Sequence, residues 1–483
     1  MIYGLKLYPS YKELDASWFG EVPSHWEVLL GRAVFREVVD RGHFDEQMLS
    51  VTINYGVLRQ ADMLADSAKR DSSNEDKSNY KLVQPGDLVY NKMRAWQGAL
   101  GVSPYRGIVS PAYIVQRLRD VQSLPRYMHF LLRTPLFASE AERWSYGITS
   151  DQWSLRAEWF RSIYFPRPPL SEQTAIVRFL DWVERRTRRA IHVRQQRIKL
   201  LEEYKQALIH QAVTGQIDIR TGKRYWAYAN SGVEWFGEIP EHWVVRRIKT
   251  IARIRYGLGQ PPREMDGGVP MLRATNVSRG TICEKDLLYV DPSDVPANRG
   301  AFLRTGEIIV VRSGAFTADS AIVPEAYDGA VAGYDMVVTA LSVLPRFLAA
   351  ALLTPCVRDD QLIAVSMRSA QRHLNAEELG AAFVPLPPLS EQIAIVEYLD
   401  TLMVKIDNAV AATRHEIDLL REYCTRLVAD VVTGKVDVRE IAAQLPEEPP
   451  DEEAEWVDPD EIAGDEAVED AASEALSEEE GES

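Results

Sequence analysis

The sequence predicts two α/β (α+β) domains, pseudo-twofold related copies of one another, joined by two long antiparallel helices that form a coiled coil. Three observations carry this expectation. First, Trp18-Phe19-Gly20-Glu21-Val22-Pro23-Ser24-His25-Trp26 returns as Trp235-Phe236-Gly237-Glu238-Ile239-Pro240-Glu241-His242-Trp243, with the numbering advanced by 217. Second, the block from Pro168 to Asp181 returns from Pro387 to Asp400, advanced by 219, with 11 of 14 positions identical. Third, Val213-Thr214-Gly215-Gln216-Ile217-Asp218-Ile219-Arg220 returns as Val432-Thr433-Gly434-Lys435-Val436-Asp437-Val438-Arg439, again at 219. Between these blocks the halves barely align. A repeat that keeps its frame and varies its contents implies a symmetric scaffold carrying two different readers.

The elements follow in order. Residues 1–20 form an aromatic lead-in, and 21–167 a first domain with mixed strand and helix signals. Within it Leu82-Val83-Gln84-Pro85-Gly86-Asp87-Leu88-Val89-Tyr90-Asn91-Lys92 reads as a turn into a buried strand. Residues 168–214 form a long helix. Two prolines stop the preceding strand, Ser171 is the expected N-cap, and Glu172 places negative charge in the first turn, where the helix dipole favours it. Ile176, Leu180, Val183, Ala190, Ile198, Leu201 and Leu208 make an apolar stripe, and Gly215 is the expected breaker. Residues 215–234 link to a second domain at 235–386, where Leu303 to Arg312 repeats the strand pattern. Residues 387–433 form the second long helix, with Ser390 and Glu391 at its start and a stripe of Ile395, Leu399, Leu402, Ile406, Ala409, Ile417, Leu420 and Leu427. Gly434 ends it. A stripe of this spacing over about 40 residues is the pattern of a coiled coil, and the simplest partner for each helix is the other.

Residues 434–445 extend the frame, and 446–483 form a tail with 18 Asp or Glu and no Lys or Arg. Removing those 18 charges from a net −16 leaves +2 for residues 1–445. Composition of this kind predicts disorder. The tail reads as a solubility device or as a nucleic-acid mimic that damps non-specific binding. The chain of 483 residues fits two to three domains. No stretch reaches the roughly 20 apolar residues that span a bilayer, and Met1-Ile2-Tyr3-Gly4-Leu5-Lys6 lacks the pattern of a signal peptide. Three scattered cysteines, Cys283, Cys356 and Cys424, point to a reducing, cytoplasmic setting.

Catalytic constellations are absent from the sequence. There is no Gly-x-Gly-x-x-Gly, no His-Glu-x-x-His and no Cys/His metal spacing. Gly215 to Lys223 fails as a phosphate loop, because Arg224 stands where Ser or Thr must hold Mg²⁺. His25 and His242, at matching places beside Pro and Trp, read as packing or hydrogen-bonding residues. The expectation is a binding protein with no catalytic residue, no metal and no cofactor of its own.

Two copies of Trp-Phe-Gly-Glu-x-Pro-x-His-Trp, two of Pro-Pro-Leu-Ser-Glu-Gln-x-Ala-Ile-Val before a long helix, and two variable domains between them resemble the specificity subunit of Type I restriction–modification enzymes. The resemblance covers residues 8–440. It implies that each variable domain is a target-recognition domain reading half of a split, asymmetric double-stranded DNA sequence. It implies that the helices fix the gap between half-sites and dock two methyltransferase (modification) subunits, which bind S-adenosylmethionine. Restriction/translocase subunits would supply ATP- and Mg²⁺-dependent chemistry. No membrane is implied. The alternative is a coiled-coil scaffold whose recognition domains serve another ligand.

Bases are read in the major groove by Arg or Lys to guanine and by Asn or Gln to adenine. In the first domain the candidates are Lys92, Arg94 and Gln97 around Trp96, and Arg143, Ser145 and Tyr146 in the segment running to Ser150. In the second they are Arg312 and Ser313, then Arg368, Ser369, Gln371 and Arg372, with Arg273, Thr275 and Asn276 as a further cluster. The first long helix also carries Arg185, Arg186, Arg188, Arg189, Arg194, Arg197 and Lys199. These read as a solvated face, a phosphate-contacting face or a docking surface for acidic partners.

Overall fold

The computed structural model describes residues 5–13, 18–64, 77–119, 121–147, 153–296, 300–367 and 372–446. The acidic tail lies outside them, apart from Pro446. The chain divides into two compact units. The first combines residues 1–193 with 416–483, and the second is 194–415. The division falls inside both long helices, Leu170–Val213 and Leu389–Val432.

Each unit is built on a four-stranded antiparallel sheet of the same topology. In the first, Phe35–Glu37 pairs with Tyr113–Leu118, which pairs with Leu88–Asn91, which pairs with Leu100–Val102. In the second the order is Ala252–Tyr256, Met336–Ala340, Ile308–Val310 and Ser320–Ile322. The Pro-Gly-Asp turn does feed a buried strand, for every residue of Leu88–Asn91 is buried. Behind it Asp87 takes both nitrogens of Arg117 at 2.7 Å. Glu307 plays the same part for Arg255 in the second unit. A carboxylate buried at the head of a strand needs such a paired, bidentate partner.

The repeated blocks close each unit in the same way. Glu27–Leu30 pairs with Tyr164–Arg167, and Val244–Arg247 with Phe383–Leu386. This puts the start of each domain beside its end, immediately before the long helix. The helices do not begin as the sequence suggested. Ser171 lies inside the first turn, and the Pro169 carbonyl accepts from Glu172 and Gln173 N–H. The Pro388 carbonyl does the same for Glu391 and Gln392. Proline thus supplies the first acceptor, and serine is not the cap.

The Glu-Gln pair of this first turn has a structural use. Gln173 donates to the carbonyls of Gln122 and Pro168 and accepts from Leu124 N–H, all at 2.8 Å. Gln392 likewise donates to Pro387 O and accepts from Leu344 N–H. Each glutamine ties the helix start to the loop before the domain's own helix at Pro125 or Pro345.

Within the second unit the two long-helix segments run in opposite directions. Lys205 pairs with Asp407 at 2.7 Å and Glu202 with Arg414 at 3.5 Å, so stepping back on one helix steps forward on the other. Ile406 is buried there, as is Thr413, whose hydroxyl donates to Ala409 O at 2.8 Å. Thr413 fills a stripe position that a purely apolar pattern misses. Among the described residues no helix is long and apolar enough to cross a membrane.

The first unit is completed by the far end of the chain. Leu427, Val431, Val432, Val438 and Ala442 lie in one core with Trp26, Phe35, Tyr127, Phe165, Phe179 and Leu180. Tyr127 donates to the Val432 carbonyl at 3.0 Å, and Asp437 N–H donates to Lys6 O at 2.8 Å. Gly434 turns the chain at φ +79°, and Gly215 does so at φ +73° in the second unit. Only glycine fits for two reasons, the left-handed backbone and the neighbour. A Cβ on Gly434 would overlap Pro23, and one on Gly215 would come within 2.5 Å of Pro240.

Candidate nucleic-acid interface

The two histidines of the repeated lead-in join a carboxylate cluster. Glu391 accepts from His242 Nε2 at 2.8 Å, Trp243 Nε1 at 3.0 Å and Tyr225 Oη at 3.1 Å, with Arg220 3.6 Å away. In the first unit Glu172 accepts from His25 and Trp26 at 2.9 Å each. Burial opposes the charge of Glu391, but the bonds from Trp243 and His242 outweigh it and hold the carboxyl below its ordinary range. The cluster uses its polar atoms internally. It ties the lead-in of each unit to the start of its long helix.

The variable loops are different. In the first unit the chain leaves Leu88–Asn91 at Lys92, whose carbonyl accepts from Leu155 N–H at 2.7 Å. Tyr146 pairs backbone to backbone with Ser154. The two candidate segments of this domain, far apart in sequence, therefore meet through the chain around Leu155. Trp96 packs edge-on against Trp153 with ring centroids 5.5 Å apart. Arg94 donates to Gln97 at 3.2 Å on the surface, and Tyr146 is 77% exposed. Arg143 is exposed, 3.7 Å from Glu140. Ser145 donates its hydroxyl back to Ala141 O at 2.7 Å, which leaves only its acceptor capacity.

The second unit repeats this arrangement with other residues. Leu374 N–H donates to Arg312 O at 2.7 Å, and Leu374 is the counterpart of Leu155 under the same offset that relates the repeated blocks. Ser313 pairs with His373, and Gly314 N–H donates to Arg372 O at 3.4 Å. Arg312 and Ser313 are thereby brought against Arg372. Arg368, Ser369 and Gln371 lie outside the described residues, as do Thr149 and Ser150 of the first unit.

The third cluster needs correction. Asn276 is fully buried, accepting from Arg273 N–H and donating to the carbonyls of Cys283 and Lys285 at 3.0 Å each. Its amide is saturated by backbone and cannot read a base. An asparagine side chain in a turn commonly bonds to nearby backbone groups in this way. Arg273 donates to Asp286 O at 2.6 Å and packs beside Gly333, while Thr275 is exposed.

Sequence reasoning missed the tyrosines. Tyr256 and Tyr334 flank Arg312, with ring centroids 4.7 and 4.2 Å from its guanidinium carbon. The signal was present as Tyr256-Gly257 and Gly333-Tyr334, two aromatic residues each joined to a glycine, but distant from one another in the chain. Among the described residues no group of His, Cys, Asp and Glu could hold a metal ion. What the loops offer is planar cationic donors beside aromatic faces.

Comparison with known proteins agrees in kind. Residues 240–417 match the family model of the Type I restriction modification DNA specificity domain. The EcoKI specificity subunit of Escherichia coli strain K12 is 24% identical over 268 residues, 52% of this chain and 54% of that subunit. The EcoBI specificity subunit of Escherichia coli is 26% identical over 298 residues, 59% of this chain and 60% of that subunit. The match thus spans only a little over half the length of these two relatives. The putative MjaX specificity subunit of Methanocaldococcus jannaschii is 23% identical over 457 residues, 89% of this chain and 98% of that subunit. A solved chain of a type I R-M system superposes with a TM-score of 0.60 at 16% identity, covering 85% of this chain and 98% of its own length, which shows a shared fold. The likeness to Type I specificity subunits, read from the repeated blocks, is borne out.

Proposed function

We propose that this chain is the non-catalytic DNA sequence-specificity subunit of a Type I restriction–modification complex. One observation carries the reading. Two sheets of one topology present their loops at equivalent places, Lys92 with Leu155 and Arg312 with Leu374, while the side chains on those loops differ. Equal presentation with unequal chemistry suits two half-sites of different sequence. Side chains on rigid strands reach base edges in the major groove, and phosphate contacts set the register.

The long helices have a part in this reading. Each has 44 residues, about 66 Å at 1.5 Å per residue. Their proposed role is to hold the two readers at a fixed spacing, because half-sites on one face of DNA recur about every 34 Å. The bipartite target, the docking of methyltransferase and restriction subunits, and a cytoplasmic setting belong to the same proposal. S-adenosylmethionine, ATP and Mg²⁺ would act in those partners.

The test is electrophoretic binding to a random duplex library, with the chain alone and assembled with its modification subunits. The reading expects enrichment of a split sequence by the assembly and methylation of adenine within it. An assembly that binds all duplexes equally, or a chain that recruits no methyltransferase, would refute it.

A further inference from the structure

The second unit holds an arrangement that its frame does not require. The guanidinium of Arg312 is sandwiched between Tyr256 and Tyr334, 4.7 and 4.2 Å from the ring centroids. Two glycines make the sandwich possible. Gly257 and Gly333 pack backbone to backbone so closely that a Cβ on Gly257 would overlap the Gly333 carbonyl. Tyr256 and Tyr334 are 39% and 49% exposed, so the pair is a surface feature and not core packing.

The rest of Arg312 is pinned as well. Its Nη2 donates to His373 Nε2 at 2.9 Å. Its backbone N–H donates to Asp335 Oδ1 at 3.2 Å, and its carbonyl accepts from Leu374. Asp335 is 2% exposed and sets a negative charge beside the cation. The planar fork is therefore held on both faces, and among the described residues Nη1 and one hydrogen of Nη2 meet no acceptor. Arg117 in the first unit differs, for it gives both Nε and Nη2 to Asp87.

A fixed fork with two parallel N–H groups matches the O6 and N7 acceptors of guanine. Pre-organisation matters because the side-chain entropy is already lost before DNA arrives. We infer that Arg312 reads a guanine in the half-site of the second unit, with Tyr256, Tyr334 and His373 as positioning residues. This rests on the DNA-recognition reading above. The first unit has Lys92 at the corresponding place, and an ammonium cannot form the same fork.

The test uses the full-length chain assembled with its modification subunits and a randomised duplex library, read as base enrichment at each position. The wild type is expected to select guanine at one position of one half-site. R312A and R312K should both lose that preference by about 5- to 150-fold, the usual worth of a bidentate base contact. All other positions should be kept, and R312K should retain affinity for DNA in general. Tyr334→Leu should weaken the same position by a smaller factor. If R312A does not fold by circular dichroism, R312K and Tyr334→Leu carry the test. Unchanged selection at every position would overturn the assignment. So would an equal loss for all sequences, which marks a phosphate contact. A wild-type assembly that selects no sequence would refute the DNA-recognition reading itself, and the assignment with it.

Discussion

Replacing Glu391 by alanine should destabilise the second unit and leave the first unchanged. Trp243 is 4% exposed, and its indole N–H donates to Glu391 at 3.0 Å. Removing the acceptor strands a buried donor, at a cost of about 1–3 kcal/mol. The bonds from His242 and Tyr225 are partly solvated, so together they add about 1 kcal/mol. The total is about 2–4 kcal/mol. With an m-value of about 2–3 kcal/mol/M the urea midpoint falls by about 1 M. Amide exchange with mass spectrometry along a urea series reports each unit on its own peptides. Glu391→Gln keeps one acceptor and should lose roughly half as much. Its deficit should also depend on pH. The Glu391 carboxyl is held below its ordinary range, so its stabilising charge is fully present above about pH 4.3 and is lost as pH falls through the lower folded value. Wild type and Glu391→Gln should therefore converge in acid. The exposed Glu397 on the same helix is the control, and its alanine variant should stay within about 0.5 kcal/mol of wild type. Equal midpoints for Glu391→Ala and Glu397→Ala at pH 7 would refute the reasoning.

Gly434→Ala should destabilise the first unit by about 2–5 kcal/mol, from left-handed backbone strain plus overlap with Pro23, seen as a lower urea midpoint in peptides of residues 1–193. Asp335→Asn should remove a pH dependence. Burial pushes the Asp335 carboxyl up to about 6, so the folded state holds a proton that the unfolded state has lost, and stability falls as pH rises from about 4 to 6. That fall is at most about 3 kcal/mol in the second unit, and urea midpoints at pH 4 and pH 7 should show it in wild type and not in the variant. Deleting residues 446–483 should tighten binding to random DNA at low salt and less so at high salt, because the 18 acidic residues compete with phosphates. Titration of the assembly at two salt concentrations decides it, and discrimination per wrong base pair should not change.

Much of the frame could be read from the sequence because its signals are local and doubled. The helices announce themselves by apolar spacing and by the glycines that end them. The Pro-Gly-Asp turn announces the strand at Leu88. The features that could not be read depend on contacts between distant residues. Ser171 has the composition of a cap, but Pro169 already supplies the acceptor. Asn276 has the composition of a base reader, but Cys283 and Lys285 bend round to take its amide. The sandwich on Arg312 joins residues 256, 312, 334 and 373, which no short window contains. The closure of Asp437 on Lys6 joins the two ends of the described chain. The repeat hid it, because the same block in the second unit closes locally, Asp218 on Lys223.

Two independent readers on one frame would be separable by exchange. The most direct measurement is to exchange residues 21–167 for the matching region of a relative and map methylated adenines in a host genome by single-molecule sequencing. The account predicts that one half-site changes, while the other half-site stays as it was. A change in both half-sites, or in neither, would contradict it.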